Sequence, residues 1–314
     1  MSRMPEHPLP EGGEGLQELW LLGQPTLARL LEFVRDNVPG GEDMDGRALS
    51  AEWRAANEYC RELERTQAGI ALDGQHRALD PALAGLAAQV QAHPHFRRNF
   101  DTLPTEFRMV ELDRLIVDQM HVTLNHVRAV AERLGPDPDA QAVFGLCLPL
   151  DEPGAPPVHI QQLGEHRWVL RCPSTDLRFH EARLIGPAQL HGYEAFGAVA
   201  GVVALVAGFG CNFLSAVRVG RRHLLVNGYH RAVALRALGL THAPCIVQTA
   251  TCVDELALAA KSRVAERAQF YFESARPPLL RDFFDPKLRR LLPLRPRTRH
   301  IELSFEVRDY LVSD

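Results

Sequence analysis

Lysine is nearly absent from this 314-residue chain, because only Lys261 and Lys287 among its 35 basic residues are lysines. The sequence therefore lacks the phosphate-loop lysine motif of Walker-type NTPases, and recognition of phosphate falls to arginine and to backbone amides. Positive charge is not in excess either, since 39 acidic residues leave a formal net charge of −4. This balance argues against a protein that coats DNA, so that any anion-binding site must be local.

Cysteine pairs, common catalytic motifs and a leader sequence are also missing. The six cysteines are widely spaced with no CxxC pair, which is typical of reduced thiols in a cytoplasmic protein. The absence of HExxH and GxSxG motifs excludes the commonest zinc-protease and serine-hydrolase sites. Residues 1–15 are rich in proline, glycine and glutamate, which predicts a disordered tail rather than a signal peptide.

A stretch without charge, residues 195–217, is long enough to cross a bilayer with some tilt. Glycines interrupt it at Gly197, Gly201, Gly208 and Gly210. A buried helix of about 13 residues, followed by a turn and a strand, explains the same residues. We therefore expect no membrane span.

Helical periodicity and capping signals dominate the first third of the chain and predict an all-helical N-terminal region over residues 16–105. An α+β core is predicted over 106–250, opening with a strand at 107–112 and a helix at 122–134. A long insertion, residues 136–211, interrupts this core and holds a predicted hairpin formed by strands 158–162 and 167–171.

The remaining residues, 251–314, predict a helical extension that ends in a strand. A basic run near residues 289–300 is interrupted by prolines and is interpreted as a solvated linker, with contact to an acidic partner or nucleic acid as the alternative. Strict alternation over residues 301–307 predicts a half-buried strand at a sheet edge.

The most informative segment is residues 223–239, in which a buried strand ends at Asn227-Gly228 and a helix follows. The first amides of a helix have no acceptor within it, so its N-terminus attracts anions. Gly228 allows close approach of the backbone, and His230 and Arg231 can add side-chain donors. The alternative is a simple tight turn, with His230 on the surface and Arg231 paired with a carboxylate.

This segment resembles a known superfamily. The run VNGYHRAVALRALGLTHAPCIV is similar to the second signature of the ParB N-terminal and sulfiredoxin superfamily, and FRMVELDRLIVDQMHVTLNHVRAVAERLG resembles its opening strand, loop and first helix. The resemblance implies a mixed sheet with helices, here preceded by the helical N-terminal region. It also implies a nucleotide, ATP or CTP with Mg²⁺, bound at the turn.

Carried over to this chain, the resemblance implies that Gly228, His230 and Arg231 contact phosphate and that Asn227 places the turn. Tyr229 belongs to the same nucleotide-binding set and stands where sulfiredoxins have a reactive cysteine. Reduction of a sulfinic acid by a thiol at this position is therefore not expected.

The resemblance of the run FRMVELDRLIVDQMHVTLNHVRAVAERLG implies that Asp118, Gln119 and His121 line the same pocket as the Asn227-Gly228 turn. Asp118 is a candidate general base or metal-binding carboxylate, and His121 and His230 are candidate catalytic histidines, with His121 as a proton shuttle. The alternative for Asp118 is an ordinary surface-loop residue.

These observations favour a cytoplasmic nucleotide-binding protein that uses ATP or CTP for phosphoryl transfer to, or hydrolysis on, a small-molecule substrate. Two alternatives stay open: a nucleotide-gated DNA-binding or regulatory protein of the ParB type, and a non-catalytic interaction module. A homodimer is compatible with each of these three functions.

Overall fold

The computed structural model describes residues 7–13, 15–24, 26–73, 76–150, 156–174, 176–192, 197–210 and 212–312. Over these residues the chain is mixed α+β, as predicted, and it divides into two units. Unit 1 comprises residues 1–151 and 212–295, and unit 2 comprises residues 152–211 and 296–314. Residues 1–6 and 14 of the predicted tail lie outside the described residues.

The strands of both units, numbered along the chain, are β1 (Leu16–Leu21), β2 (His76–Ala78), β3 (Thr105–Glu111), β4 (Ile116–Val117), β5 (His121–Thr123), β6 (His159–Gly164), β7 (Arg167–Cys172), β8 (Arg178–Ile185), β9 (Val202–Gly208), β10 (Ser215–Val219), β11 (Arg222–Asn227), β12 (His242–Ala250), β13 (Arg289–Leu294) and β14 (Arg299–Ser304).

The α-helices are α1 (Leu27–Asn37), α2 (Gly46–Thr66), α3 (Ala84–Ala92), α4 (Pro94–Phe100), α5 (Leu124–Leu134), α6 (Ala140–Cys147), α7 (Tyr229–Ala237), α8 (Val253–Ala259), α9 (Ser262–Ala265) and α10 (Ala268–Phe272). Short 3₁₀ turns occur at Ile70–Asp73, Pro81–Leu83, Leu112–Arg114, Pro187–Gln189 and Leu280–Phe284.

Unit 1 is built on a six-stranded sheet with the order β2-β3-β12-β10-β11-β4 and a three-stranded sheet with the order β13-β1-β5. In the larger sheet β10 runs parallel to β12 and antiparallel to β11, and β11 runs parallel to β4. One face packs around the fully buried side chains of Ile116 and Val217, together with residues of the helical segment that follows β12. This packing fixes the carboxyl end of β11, where α7 begins.

Unit 2 consists of a three-stranded sheet with the order β14-β7-β6 and a two-stranded ribbon, β8-β9. Leu170, Cys172 and Leu177 form its small buried cluster. The predicted hairpin of β6 and β7 is present, and the terminal strand β14 joins the sheet edge beside β7, as its alternating pattern predicted.

The local predictions for the core are confirmed at the level of helices and strands. The predicted strand at 107–112 is β3, the predicted helix at 122–134 is α5, and the helix after the Asn-Gly turn is α7. Gly220, with φ of +58°, turns β10 into β11, a conformation that glycine adopts without steric cost.

The all-helical prediction for residues 16–105 is wrong, because β1 and β2 lie within this range. β1 occupies the centre of its sheet, between β13 and β5, and five of its six residues are buried. A central strand buried on both faces has no period-2 alternation, so its pattern cannot be separated from that of a helix.

Two further predictions are corrected. The apolar segment near residue 200 is not a helix but contains β9, which pairs with β8 and is rich in β-branched valine. The basic run interpreted as a linker contains β13, which pairs with β1 along six residues. Within the described part of the chain, no helix is both long and apolar enough to span a bilayer.

Candidate functional site

The turn at the end of β11 has the backbone geometry that the sequence predicted. Gly228 adopts φ of +97° and directly precedes the nine-residue helix α7. A Cβ atom at this position would lie 3.0 Å from Leu214 Cγ, so glycine is required both for its conformation and for close packing. No side chain caps this helix end, which leaves its partial positive charge uncompensated by a cap.

Arg231 lies beneath this turn rather than beside a solvent-facing phosphate position. Its guanidinium is buried, and Nη1 donates to the carbonyls of Leu146, Cys147 and Asn212, the first two at 3.1 and 3.0 Å. Cys147 is the last residue of α6, and the last carbonyls of a helix have no partner within it. Arg231 therefore ties the end of α6 to α7. The Asn227 side chain likewise donates to a backbone carbonyl, that of Phe213, at 2.9 Å.

Tyr229, the first residue of α7, is bonded to Asp118 from the loop after β4. The tyrosine hydroxyl donates to Asp118 Oδ1 and lies against the carbonyl of Leu225, and both side chains are buried. Burial and the neighbouring Asp118 carboxylate raise the pKa of Tyr229 well above its ordinary value, so it stays protonated. The Asp118–Tyr229 pair fixes the loop to the first turn of α7.

Two cations from the segment after α8 converge on the same carboxylate. Arg263 donates from Nε and Nη2 to Asp118 Oδ2 at 2.9 and 2.6 Å, and Lys261 Nζ lies 3.6 Å from this oxygen. The side chain of Asp118 is 1% exposed, whereas those of Lys261 and Arg263 are 46% and 41% exposed. These three residues carry one negative and two positive charges, so a net positive charge faces solvent beside the helix N-terminus. Lys261 Nζ also lies 5.7 Å from the ring centroid of Tyr229.

His230 is the second residue of α7, and its ring points into the protein. Its Nε2 accepts a hydrogen bond from the backbone N–H of Thr123 at 3.0 Å, and its ring packs edge-on against His126. Burial, followed by the proximity of His126, lowers the pKa of His230 to about 4. His230 is therefore neutral near pH 7, and the hydrogen bond assigns its proton to Nδ1.

A second polar cluster adjoins His230, and one of its members comes from β1. The Glu18 carboxylate accepts from His121 Nδ1 and from Thr123 Oγ1, the latter at 3.1 Å. Glu18 is buried, whereas the side chain of His121 is 32% exposed and stacks on Trp20 with ring centroids 5.0 Å apart. Because the carboxylate accepts a hydrogen bond from Nδ1, the neutral His121 ring carries its proton on Nδ1 and a lone pair on Nε2. Among the described residues no donor pairs with this Nε2 atom.

The structure thus brings the candidate residues of the loop after β4 and those of the Asn227-Gly228 turn together around the first turn of α7. Asp118 contacts Tyr229, Thr123 contacts His230, and Gln119 donates to the carbonyl of His121 at 2.8 Å, which orders the loop between them. Sequence reasoning missed Glu18, Lys261 and Arg263. The rarity of lysine could have drawn attention to Lys261, which is one of two lysines in the chain. Within the described ranges, no three histidine, cysteine or acidic side chains are grouped as metal ligands would be.

Comparison of the chain with protein-family models, with curated proteins and with solved structures finds no match. The functional argument therefore depends on the geometry of this site.

Proposed function

We propose that unit 1 contains a ParB/sulfiredoxin-like core that binds a nucleoside triphosphate, ATP or CTP, by its phosphates at the N-terminus of α7 and transfers or hydrolyses the γ-phosphoryl group. The observation that carries the proposal is the exposed pair Lys261 and Arg263, held over Asp118 beside an uncapped helix end. The hairpin of β10 and β11, followed by α7 and β12, supports the proposed core arrangement.

The phosphates are bound by a different set of residues from that implied by the resemblance. Lys261 and Arg263 supply exposed positive charge, and the amides at the start of α7 supply directed donors. Arg231 and His230 act behind this surface, since their hydrogen bonds hold α6 and β5 against the helix. Both oxygens of Asp118 accept hydrogen bonds within the protein, so Asp118 anchors the cations rather than acting as the base.

His121 is the proton acceptor in this proposal. The oxygen of an acceptor hydroxyl, or of water, attacks the γ-phosphorus while its proton moves to His121 Nε2. The bond between the γ-phosphorus and the bridging oxygen breaks, and its electron pair leaves on the nucleoside diphosphate. Glu18 stabilises the resulting imidazolium through Nδ1 and fixes the ring orientation, and the proton then passes to solvent.

Mg²⁺ accompanies nucleoside triphosphates in most phosphoryl-transfer reactions, where it neutralises phosphate charge. The Asp118 oxygens are already engaged by Tyr229 and Arg263, and the Glu18 oxygens by His121 and Thr123. Among the described residues no three potential metal ligands are grouped. In this proposal the protein's own residues hold the phosphates and move the proton.

A matched pair of substitutions tests the proposal, because the chain has one lysine at the site and one elsewhere. ATP, CTP, GTP and UTP are titrated by calorimetry, with and without Mg²⁺, into the native protein, Lys261→Gln and Lys287→Gln. Lys287 is exposed and packs over the ring of Tyr59, away from the α7 contacts. We expect one nucleotide to bind and its Kd to rise about tenfold in Lys261→Gln, the loss of one charge-assisted contact, with native affinity in Lys287→Gln.

Absence of saturable binding by all four nucleotides to the native protein refutes the proposed function. Equal affinity of the native protein and Lys261→Gln for the bound nucleotide refutes the proposed site. In that second case the binding surface lies elsewhere on the chain.

A further inference from the structure

A second basic cluster lies at the opposite end of β11 and takes no part in the site described above. It comprises His76 on β2, Arg108 on β3, Arg218 on β10 and His223 on β11. Arg218 and His223 are direct cross-strand partners, and the rings of His76 and His223 lie 5.1 Å apart. Asn227 lies four positions after His223, about 13 Å along a strand, so this cluster is distinct from the turn at α7.

The contact between His76 and His223 reveals the shape of the sheet. Three strands lie between β2 and β11 in the sheet order, which in a flat sheet would separate them by about 19 Å. The sheet is therefore strongly coiled, and it brings its first and fifth strands together at one end. The four side chains line this closed end.

Two buried nitrogen atoms of the cluster have no hydrogen-bond partner, Arg218 Nε and His223 Nε2. His223 is only 5% exposed, so bulk water does not solvate its ring. Buried polar atoms are nearly always paired in native proteins, and an unpaired group indicates that a ligand, ion or water belongs there. Both atoms belong to adjacent, cross-strand paired residues, so one small acceptor can satisfy both.

The charges of the cluster indicate what the ligand is. Glu106 is the acidic residue nearby, and it is already paired with Arg108, whose Nε lies 2.8 Å from its carboxylate. Among the described residues Arg218 has no ion pair, so its positive charge has no bonded counterion. Burial, and to a smaller extent the neighbouring His76 and Arg218, lowers the pKa of His223 to about 4, so its ring is neutral near pH 7.

We propose that this end of the sheet binds a small oxyanion of the phosphate class, which accepts from Arg218 Nε and from His223 Nε2 as its two buried contacts, with His76 and Arg108 at the rim. Arginine and histidine donors are the usual partners of phosphate and sulfate oxygens. The ligand offsets the excess of positive charge that Arg108 and Arg218 leave over Glu106. This inference does not depend on the proposed nucleotide site.

Inorganic phosphate is the probe, with sulfate and acetate as further titrants. It is titrated by calorimetry into the native protein, Arg218→Met, Arg77→Met and Lys261→Gln. Arg77 is the neighbour of His76 on β2 but lies near His242 instead, which makes it a control for loss of an arginine elsewhere in the same sheet. We expect saturable phosphate binding in the native protein, at least tenfold weaker binding in Arg218→Met and native affinity in Arg77→Met, whereas Lys261→Gln reports only on phosphate bound at the α7 site.

A native protein that binds none of the three anions overturns the inference, as does equal affinity in Arg218→Met. Binding that is lost in Lys261→Gln but kept in Arg218→Met assigns the phosphate to the α7 site, which supports the proposed function and refutes this one. Should Arg218→Met fail to fold, the NMR signals of arginine Nε–H groups in the native protein decide the matter, because phosphate must shift the Arg218 signal.

Discussion

The Glu18 carboxylate accepts a hydrogen bond from Nδ1 of His121, although 103 positions separate the two residues in the sequence. The contact exists because β1 pairs with β5, with Trp20 opposite His121 and Glu18 opposite Thr123. A buried carboxylate that orients a partly exposed imidazole is the arrangement of a general base and its positioning residue. This relationship makes His121 the residue on which the proposed chemistry depends.

Glu18→Gln tests this role. The amide keeps the size of the side chain but does not stabilise an imidazolium, so we expect kcat for hydrolysis of the bound nucleotide to fall about 10²-fold. KM should change little, because Glu18 does not contact the phosphates in the proposed complex. Steady-state release of phosphate measures both constants.

Glu18→Asp is the companion variant, since it restores the carboxylate at a shorter reach and should recover part of kcat. A loss of kcat that is equal in both variants, or a change confined to KM, would assign Glu18 a purely structural role.

Arg231 is expected to stabilise the fold rather than to bind phosphate. Replacing it by methionine leaves the carbonyls of Leu146, Cys147 and Asn212 without their donor. We expect the free energy of unfolding to fall by about 3 kcal/mol, because buried unpaired acceptors are costly. Urea unfolding measures this, with the exposed Arg35→Met as the control for loss of a surface arginine.

The opposite result is equally informative. Native stability in Arg231→Met, together with abolished nucleotide binding, would return Arg231 to the phosphate-binding role that the resemblance implied.

The strands and helices around α7 were predictable because their signals are local. The Asn227-Gly228 turn and the buried run before it predict a strand and a helix from adjacent residues alone. β1 was not predictable, since its partners β13 and β5 lie more than 90 residues away along the chain and only they make it a strand. Glu18 was missed with it, because a glutamate in a presumed helix carries no signal of burial.

Lys261 and Arg263 were missed for a related reason. Their position over Asp118 is set by the packing of the short helices α8 and α9 against the sheet. Arg263 and Asp118 are more than 140 residues apart in the sequence, so no local pattern predicts their contact. The direction of the Arg231 side chain was equally hidden. A phosphate-facing and a carbonyl-facing arginine have the same sequence pattern, and only the position of α6 distinguishes them.

The burial of His230 predicts loss of stability in acid. Its pKa is about 4 in the folded protein and near 6.5 when exposed, so the unfolded chain binds the proton more readily. The stability that His230 contributes is complete above about pH 6.5 and is lost as the pH falls toward 4, by about 2 kcal/mol at pH 5. Urea unfolding at pH 7 and pH 5 measures the difference.

His230→Gln retains an acceptor for the Thr123 N–H but does not titrate. The loss of stability between pH 7 and pH 5 should therefore be about 2 kcal/mol smaller in this variant than in the native protein. Identical losses would mean that His230 is accessible to protons in the folded state.

Asp118→Asn separates an anchoring carboxylate from a catalytic one, because the two roles predict opposite changes in affinity. Asp118 neutralises one of the two cations beside α7, and its removal raises the local charge from one to two. We therefore expect the nucleotide to bind several-fold more tightly in the absence of Mg²⁺ at low salt, where charge interactions are least screened. The free energy of unfolding should fall by about 3 kcal/mol, since the buried Tyr229–Asp118–Arg263 contacts are weakened. Calorimetric titration and urea unfolding give the two values.

Weaker nucleotide binding with unchanged stability would instead identify Asp118 as a group that contacts the ligand. Lys261 and Arg263 would then no longer be assigned to the proposed site.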